Sequence, residues 1–268
     1  MDKDILQEII TYKRIEVARQ KEQLPPSSLY KRVEAIGTRP HLSMRQALAQ
    51  SASGIIAEFK RKSPSKGWIK ADGRPDVIPA SYAKNGAAAL SILTDEHYFG
   101  GNMDFIRIAR DTVIQPILRK DFIIDEYQLF QAKEIGADAV LLIAAGLSKA
   151  DCNQLAQTAH QLELETLLEI HSEAELEYVG ENIDMVGVNN RNLGTFHTDV
   201  QNSFRLAGKL PQEYLLVSES GISNPQTVLE LREAGFRGFL IGETFMRNAD
   251  PGKALADFIA QIAPSHKF

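Results

Sequence analysis

The chain has 268 residues, with 30 Lys plus Arg against 35 Asp plus Glu and a net charge of −5. That length suits one α/β barrel with a large core, and the mildly acidic balance gives no global attraction for nucleic acid, so an anionic ligand would need a local basic pocket. A single cysteine, Cys152, excludes an intramolecular disulfide, the start MDKDILQEII lacks the layout of a signal peptide, and no apolar run reaches the ~20 residues that span a bilayer; a cytoplasmic protein is the expectation.

Residues 2–23 read as an amphipathic helix. Ile5, Leu6, Ile9, Ile10 and Val17 fall at helical spacing, with Lys13, Arg14, Arg19 and Lys21 between them. Pro25 and Pro26 stop it. Shorter helices are expected over 28–35 and 43–49, so that residues 1–50 form a helical extension ahead of the first strand, a candidate lid or plug. Short apolar runs follow at 54–60, 87–93, 115–119, 138–143, 164–169, 184–189, 214–218 and 237–241, the form of strands buried on both faces. Helical patterns fill gaps between them at 75–84, 125–135, 148–162, 172–179 and 224–234, and glycine closes several, as in NGA, IGAD and EAGFRG. Eight βα units, with no GxGxxG after the first strand, favour a single (β/α)8 barrel domain over 1–268 rather than an open doubly wound sheet.

Charged and polar residues interrupt these runs near their C-terminal ends, where such a barrel builds its active site. GIIAEFKRKSPS carries Glu58 and Lys60, PILRKDF carries Lys120, LETLLEI carries Glu169, VGVNNRN carries Asn189 and Arg191, and LLVSESG carries Ser220. Charge inside an apolar run is costly unless it is paired or used. Side chains alternate along a strand with period 2, so Glu58 and Lys60 share a side, as do Lys120 and Phe122, and Asn189 and Arg191 if the sixth strand extends that far. If those sides face the axis, the groups converge above one packed core. Glu58 and Lys60 could instead be a structural ion pair sealing the barrel top. Lys120 and Glu169, isolated charges ending two separate strands, are harder to explain by packing.

The loop RKSPSKG combines basic residues with Ser63 and Ser65 and could hold a carboxylate or phosphate, or be merely solvated. Gly221 in SESGI and Gly242 in LIGE, after the seventh and eighth strands, occupy the places where many barrels bind phosphate through backbone N–H groups; two tight turns without a ligand are the alternative. His97, Tyr98 and Phe99 could wall an aromatic ligand or pack at the rim, and Trp68 is similarly open. His41, His97, His160, His171, His197 and His266 show neither HxxxH nor HExxH spacing, so no metal site is expected.

Taken in order, IAEFKRKSPSKG, LTDEHYFGG, ILRKDFIID, GADAVLLI, LLEIH, VGVNNRNL, SESGI and FLIGETFM closely resemble indole-3-glycerol phosphate synthase, and the resemblance covers nearly the whole chain. It implies a (β/α)8 barrel of tryptophan biosynthesis that converts 1-(2-carboxyphenylamino)-1-deoxyribulose 5-phosphate to indole-3-glycerol phosphate, releasing CO2 and water without a cofactor. By similarity Lys120 is the general acid for ring closure, helped by a neighbouring lysine that lowers its pKa. Lys60 holds the substrate carboxylate, Glu58 orients and neutralises Lys60, and Glu169 is the base or electrostatic stabiliser of dehydration. Asn189, Arg191 and Ser220 bind substrate, with Phe99 and Phe122 as aromatic walls. Ser63, Gly221, Gly242 and the backbone at Glu243 match phosphate-binding positions; a Glu243 carboxylate pointing inward would repel the anion. Some members of that family are fused to a phosphoribosylanthranilate isomerase; with this chain ending at Phe268, soon after the eighth unit, no fused isomerase domain is expected here.

Two other enzymatic readings start from the same pattern. A sugar-phosphate isomerase barrel would place aspartate or cysteine at the strand ends where Lys120 and Glu169 stand. A class I aldolase would form a Schiff base at lysine. A barrel that keeps only its fold is the non-enzymatic alternative. The N-terminal segment and the RKSPSKG loop, before and after the first strand, are expected to close over a bound ligand.

Overall fold

The computed structural model of the protein describes residues 5–37, 42–192 and 197–262. The expected start of the first helix at residues 2–4 lies outside them, as do His41 and His266 and parts of the stretch read as 1–50. Eight strands form a closed barrel: β1 (Ile55–Phe59), β2 (Ala89–Leu93), β3 (Ile117–Lys120), β4 (Ala139–Ile143), β5 (Glu165–Ile170), β6 (Met185–Asn189), β7 (Leu215–Glu219) and β8 (Gly238–Ile241). Each pairs in parallel with its sequence neighbours, and β8 closes onto β1 with Ile56 opposite Leu240. The (β/α)8 barrel is therefore the observed fold, each strand lying within two residues of its expected place.

Alternation along the strands sorts the apolar residues into two separate clusters. Ile56, Leu118, Leu141, Leu167, Val217 and Leu240 face the axis and fill the barrel. Ile55, Ile92, Val140, Leu168, Val186 and Phe239 face outward under the helices. Both faces are buried, so the strands read as unbroken apolar runs rather than as an alternating pattern. The helices begin where capping residues stand. Asp125 accepts from Tyr127 N ahead of the helix Glu126–Ile135, Ser148 accepts from Asp151 N ahead of Lys149–Gln161, and Asn224 with Pro225 opens Pro225–Glu233. Gly136, at φ 91°, ends the first of these in a left-handed turn.

Three helices precede β1: α1 (Ile5–Gln23), α2 (Pro26–Ile36) and α3 (Met44–Gln50). Pro26 does not merely stop α1; it opens α2 from its first turn, where its fixed φ suits a helix and its missing N–H is not needed. The expected start at residue 28 is thus two residues late. α3 plugs the bottom of the barrel. Its Met44 and Leu48 join the inner cluster, and Glu165, at the start of β5, accepts from Ser43 Oγ and from Arg45 N at 2.8 Å. The segment expected as a helix over 172–179 is a 3-10 turn, Glu173–Tyr178. Helices Asp104–Arg110, Gln201–Ala207 and Pro251–Ile262 complete units that the periodicity left unassigned. Among the described residues no helix is long and apolar enough to cross a membrane.

Candidate active site

The C-terminal strand ends open into a cavity of about 460 Å³. Glu58, Lys120, Glu169 and Asn189 line it from β1, β3, β5 and β6, each in register with the inward apolar residues of its own strand. Lys60, just past β1, joins them, its Nζ 2.8 Å from Glu58 Oε1. Glu58 is buried, which opposes its charge, yet Lys60 and then Lys120 outweigh burial and hold its carboxyl below the ordinary range. Gly242 makes this placement possible, since a Cβ there would stand 2.3 Å from Glu58 Oε1.

Lys120 sits among three carboxylates. Its Nζ is 3.6 Å from Glu169 Oε2 and 3.9 Å from Glu219 Oε2. Burial works against the ammonium, but Glu169, Glu219 and Glu58 more than compensate, and Lys120 stays charged, above the ordinary lysine range. This corrects the expectation that a neighbouring lysine lowers its pKa: Lys60 is engaged by Glu58, and the carboxylates dominate. Glu169 is held below the usual carboxylate range, burial being overcome by Lys120, His171 and a hydrogen bond from Asn189.

Glu219 is the residue that the sequence reading missed. It lies at the end of β7, one position before Ser220, and is 1% exposed. Neither carboxylate oxygen has a hydrogen-bond partner among the described residues. Burial and the neighbouring Glu169 push its carboxyl up. A signal was present: Glu219 shares parity with the inward Leu215 and Val217, by the rule that singles out Glu58 and Glu169. The SESG turn drew the reading to the serine and glycine instead.

The remaining candidates divide. Phe99 and Phe122 both line the cavity, their ring centroids 6.0 Å apart at 38°. His97 and Tyr98 pack on Tyr12 of α1 and are rim residues, and Trp68 is exposed with Arg61 over its ring. Arg191 lies beyond β6, which ends at Asn189; its backbone N–H donates to Asn189 Oδ1 and its Nη1 to Ser65 Oγ at 2.9 Å. Ser63 is buried at the cavity wall, its hydroxyl without a hydrogen-bond partner among the described residues. Ser220 and Gly221 turn with φ of 67° and 76°. The first costs about 1–3 kcal/mol for a residue with a Cβ, and Asn190 Nδ2 helps to hold it by donating to Ser220 O. Glu243 opens the short helix Glu243–Met246, and its carboxylate is drawn to Lys66 Nζ at 2.6 Å.

α1 roofs the same cavity with Ile5, Leu6 and Ile9. It is anchored by Lys13, wholly buried, whose Nζ lies 2.8 Å from Asp95 and 3.0 Å from Asp121, the residue after Lys120. Burial disfavours this ammonium, but Asp121, Asp95 and Glu16 keep it charged.

The family model for indole-3-glycerol phosphate synthase matches residues 6–258. A protein of that name from Bacteroides thetaiotaomicron is 61% identical over 260 residues, covering 97% of this chain and 99% of its own length. One from Polaromonas naphthalenivorans is 43% identical over 261 residues, covering 96% and 99%. Among solved structures, 3-hexulose-6-phosphate synthase from Salmonella typhimurium superposes with a TM-score of 0.60 at 14% identity, over 77% of this chain and 98% of its own, a likeness of fold.

Proposed function

The chain belongs to the indole-3-glycerol phosphate synthase family, and from that premise we propose how its cavity divides the work of the reaction. The enzyme is a carboxy-lyase of tryptophan biosynthesis. It closes the pyrrole ring of 1-(2-carboxyphenylamino)-1-deoxyribulose 5-phosphate, with loss of CO2 and water.

Lys120 delivers a proton to the ketone oxygen as the ring carbon bearing the carboxylate attacks the ketone carbon. An ammonium kept charged between carboxylates is ready for that step, and a new C–C bond and a hydroxyl result. Lys60, oriented by Glu58, holds the substrate carboxylate until CO2 departs and aromaticity returns. Dehydration then needs a base and an acid. Glu169, kept ionised, takes the proton lost from the amine-bearing side of the new ring. Glu219, the carboxyl held protonated, gives the departing hydroxyl its proton. Two neighbouring carboxyl groups with opposed ionisation are the usual signature of such a division.

Asn189, Arg191 and Ser220 hold substrate hydroxyls or carboxylate, and Phe99 and Phe122 flank its aromatic ring. The buried Ser63 hydroxyl and the N–H groups of Gly221, Gly242 and Glu243 take the phosphate. The pairing of Glu243 with Lys66 supports this, because it turns the carboxylate away from the anion. A phosphorylated small substrate and a single cysteine kept as a thiol fit a cytoplasmic enzyme.

The observation that carries the reading is the convergence of Lys60, Lys120, Glu58 and Glu169, from three separate strands, on one cavity. The test is formation of the fluorescent indole product by the purified chain and by Lys120→Met. Loss of the general acid is expected to lower kcat by about 10²–10⁴-fold. Turnover surviving within a few-fold refutes the role given to Lys120, and borohydride trapping of Lys120 with substrate would favour Schiff-base chemistry instead.

A further inference from the structure

His171 stands two residues beyond Glu169, just past β5, outside the residues that line the cavity, and reaches it through Glu169. Its Nε2 lies 3.3 Å from Glu169 Oε1, and its Nδ1 lies 3.6 Å from Glu175 Oε2. Both ring nitrogens are buried and neither meets hydrogen-bond geometry among the described residues, so the two carboxylates face them as ion-pair partners. The backbone fixes the arrangement from two sides. His171 N–H donates to Glu175 Oε2, and Asn202 Nδ2 donates to His171 O. A neutral imidazole always presents one lone pair, and here that lone pair would face a carboxylate oxygen whichever tautomer formed. Only the imidazolium, with a proton on each nitrogen, suits both neighbours. The same contacts, against the cost of burial, raise its pKa to about 10.

Glu169 is therefore flanked by two cations, with Lys120 at one oxygen and His171 at the other. Glu219, across the cavity, has among the described residues only Lys120 within ion-pair reach, at 3.9 Å. The charged or titratable groups acting on this pair are Lys120 from β3, Glu58 from β1 and His171 itself, with Glu175 behind it. We propose that His171, clamped by Glu175, is a positioning residue that holds Glu169 as the carboxylate and leaves the proton with Glu219. It does not line the cavity; it acts by making the two facing glutamates unequal, so that one is a base and the other an acid before the substrate arrives. The inference rests on the roles given above to Glu169 and Glu219 and supplies what distinguishes them.

The experiment compares His171→Asn and Glu175→Gln with the wild-type chain. Steady-state indole formation is followed across the pH range, with thermal melts and infrared spectra of the ligand-free protein. In the wild type, the buried carboxylic-acid C=O band should vanish in Glu219→Gln and persist in Glu169→Gln. In His171→Asn with both glutamates present the band should shift and broaden, because Glu169, left with Lys120 alone, now competes with Glu219 for the proton; Glu219→Gln in that background should still remove it, since Lys120 then serves Glu169. The expected kinetic result is a fall in kcat of about tenfold, with KM within about twofold and the acid limb of the kcat profile displaced to higher pH. Glu175→Gln, which leaves the imidazole in place and lies farther from the cavity, should move the limb the same way by less. It also decides the matter if His171→Asn does not fold. An unchanged pH profile and kcat in folded His171→Asn would overturn the proposal. Infrared bands that respond as expected, in a chain that makes no indole product, would instead overturn the catalytic roles of the two glutamates and leave the proton arrangement standing.

Discussion

Gly187 on β6 offers a test of the inner face that involves no substrate contact. A methyl group there would stand 2.2 Å from Glu219 Oε1 and 3.2 Å from Leu167 Cδ1. Gly187 does not have a positive φ, so alanine meets no backbone strain and the carboxylate is the obstacle. Comfortable contact between such atoms is about 3.5 Å, so Glu219 must retreat by roughly 1 Å within a packed interior. Overpacking of this kind costs about 1–3 kcal/mol, or some 2–10 °C in Tm for a chain of this size. An acid displaced by about 1 Å is expected to lose about 10²-fold in kcat, while KM stays within about threefold because the proposed phosphate positions lie on segments other than β6. Turnover by fluorescence and melting by calorimetry measure both. The double variant Gly187→Ala/Glu219→Ala removes the overlap, so its stability should match or exceed that of Glu219→Ala alone, a strong departure from additivity. Gly187→Ala with kcat within twofold, and with additive melting shifts in the double variant, would refute the placement of Glu219 and its role.

Other substitutions probe the buried charges. Lys13→Met removes the shared cation from the buried pair Asp95 and Asp121, leaving Arg119 on Asp121 and backbone N–H donors on Asp95, and should cost about 3–5 kcal/mol at pH 7, with KM raised because α1 roofs the cavity. Asp121 is held below its ordinary range, against burial, by Lys13 and Arg119, so its contribution is present above the unfolded aspartate value and lost as pH falls. The gap in Tm between Lys13→Met and the wild type should therefore narrow on acidification, and a constant gap would count against the anchor. For Glu219 the sign reverses. Its carboxyl is raised on folding, so its ionisation costs stability progressively as pH climbs above the unfolded glutamate value. Glu219→Gln cannot ionise and should gain in Tm relative to the wild type between about pH 5 and 8, even as it loses turnover.

Much of this protein was legible along the chain. Strands buried on both faces leave continuous apolar runs, and that local property located all eight within two residues. Parity within the runs put Glu58 with Lys60, Lys120 with Phe122 and Asn189 with Arg191, because alternation is fixed by the backbone and needs no knowledge of neighbours; that Glu58, Lys120 and Asn189 face the axis together with Glu169 came from the structure. Short helices such as Gln201–Ala207 were missed because few apolar residues in few turns give no clear period.

What the tertiary structure alone decided is which group answers which. Lys60 answers Glu58 within one strand end, a pairing visible in the sequence. Lys120, by contrast, answers Glu169 and Glu219, 49 and 99 positions away, and is held charged where a neighbouring lysine was expected to lower its pKa. Lys13 read as one of the polar positions between the apolar ones of the first helix, yet it is sealed against Asp95 and Asp121. Ionisation in a low-dielectric interior depends on distances of a few ångströms between residues that barrel closure brings together, and no local period encodes those distances.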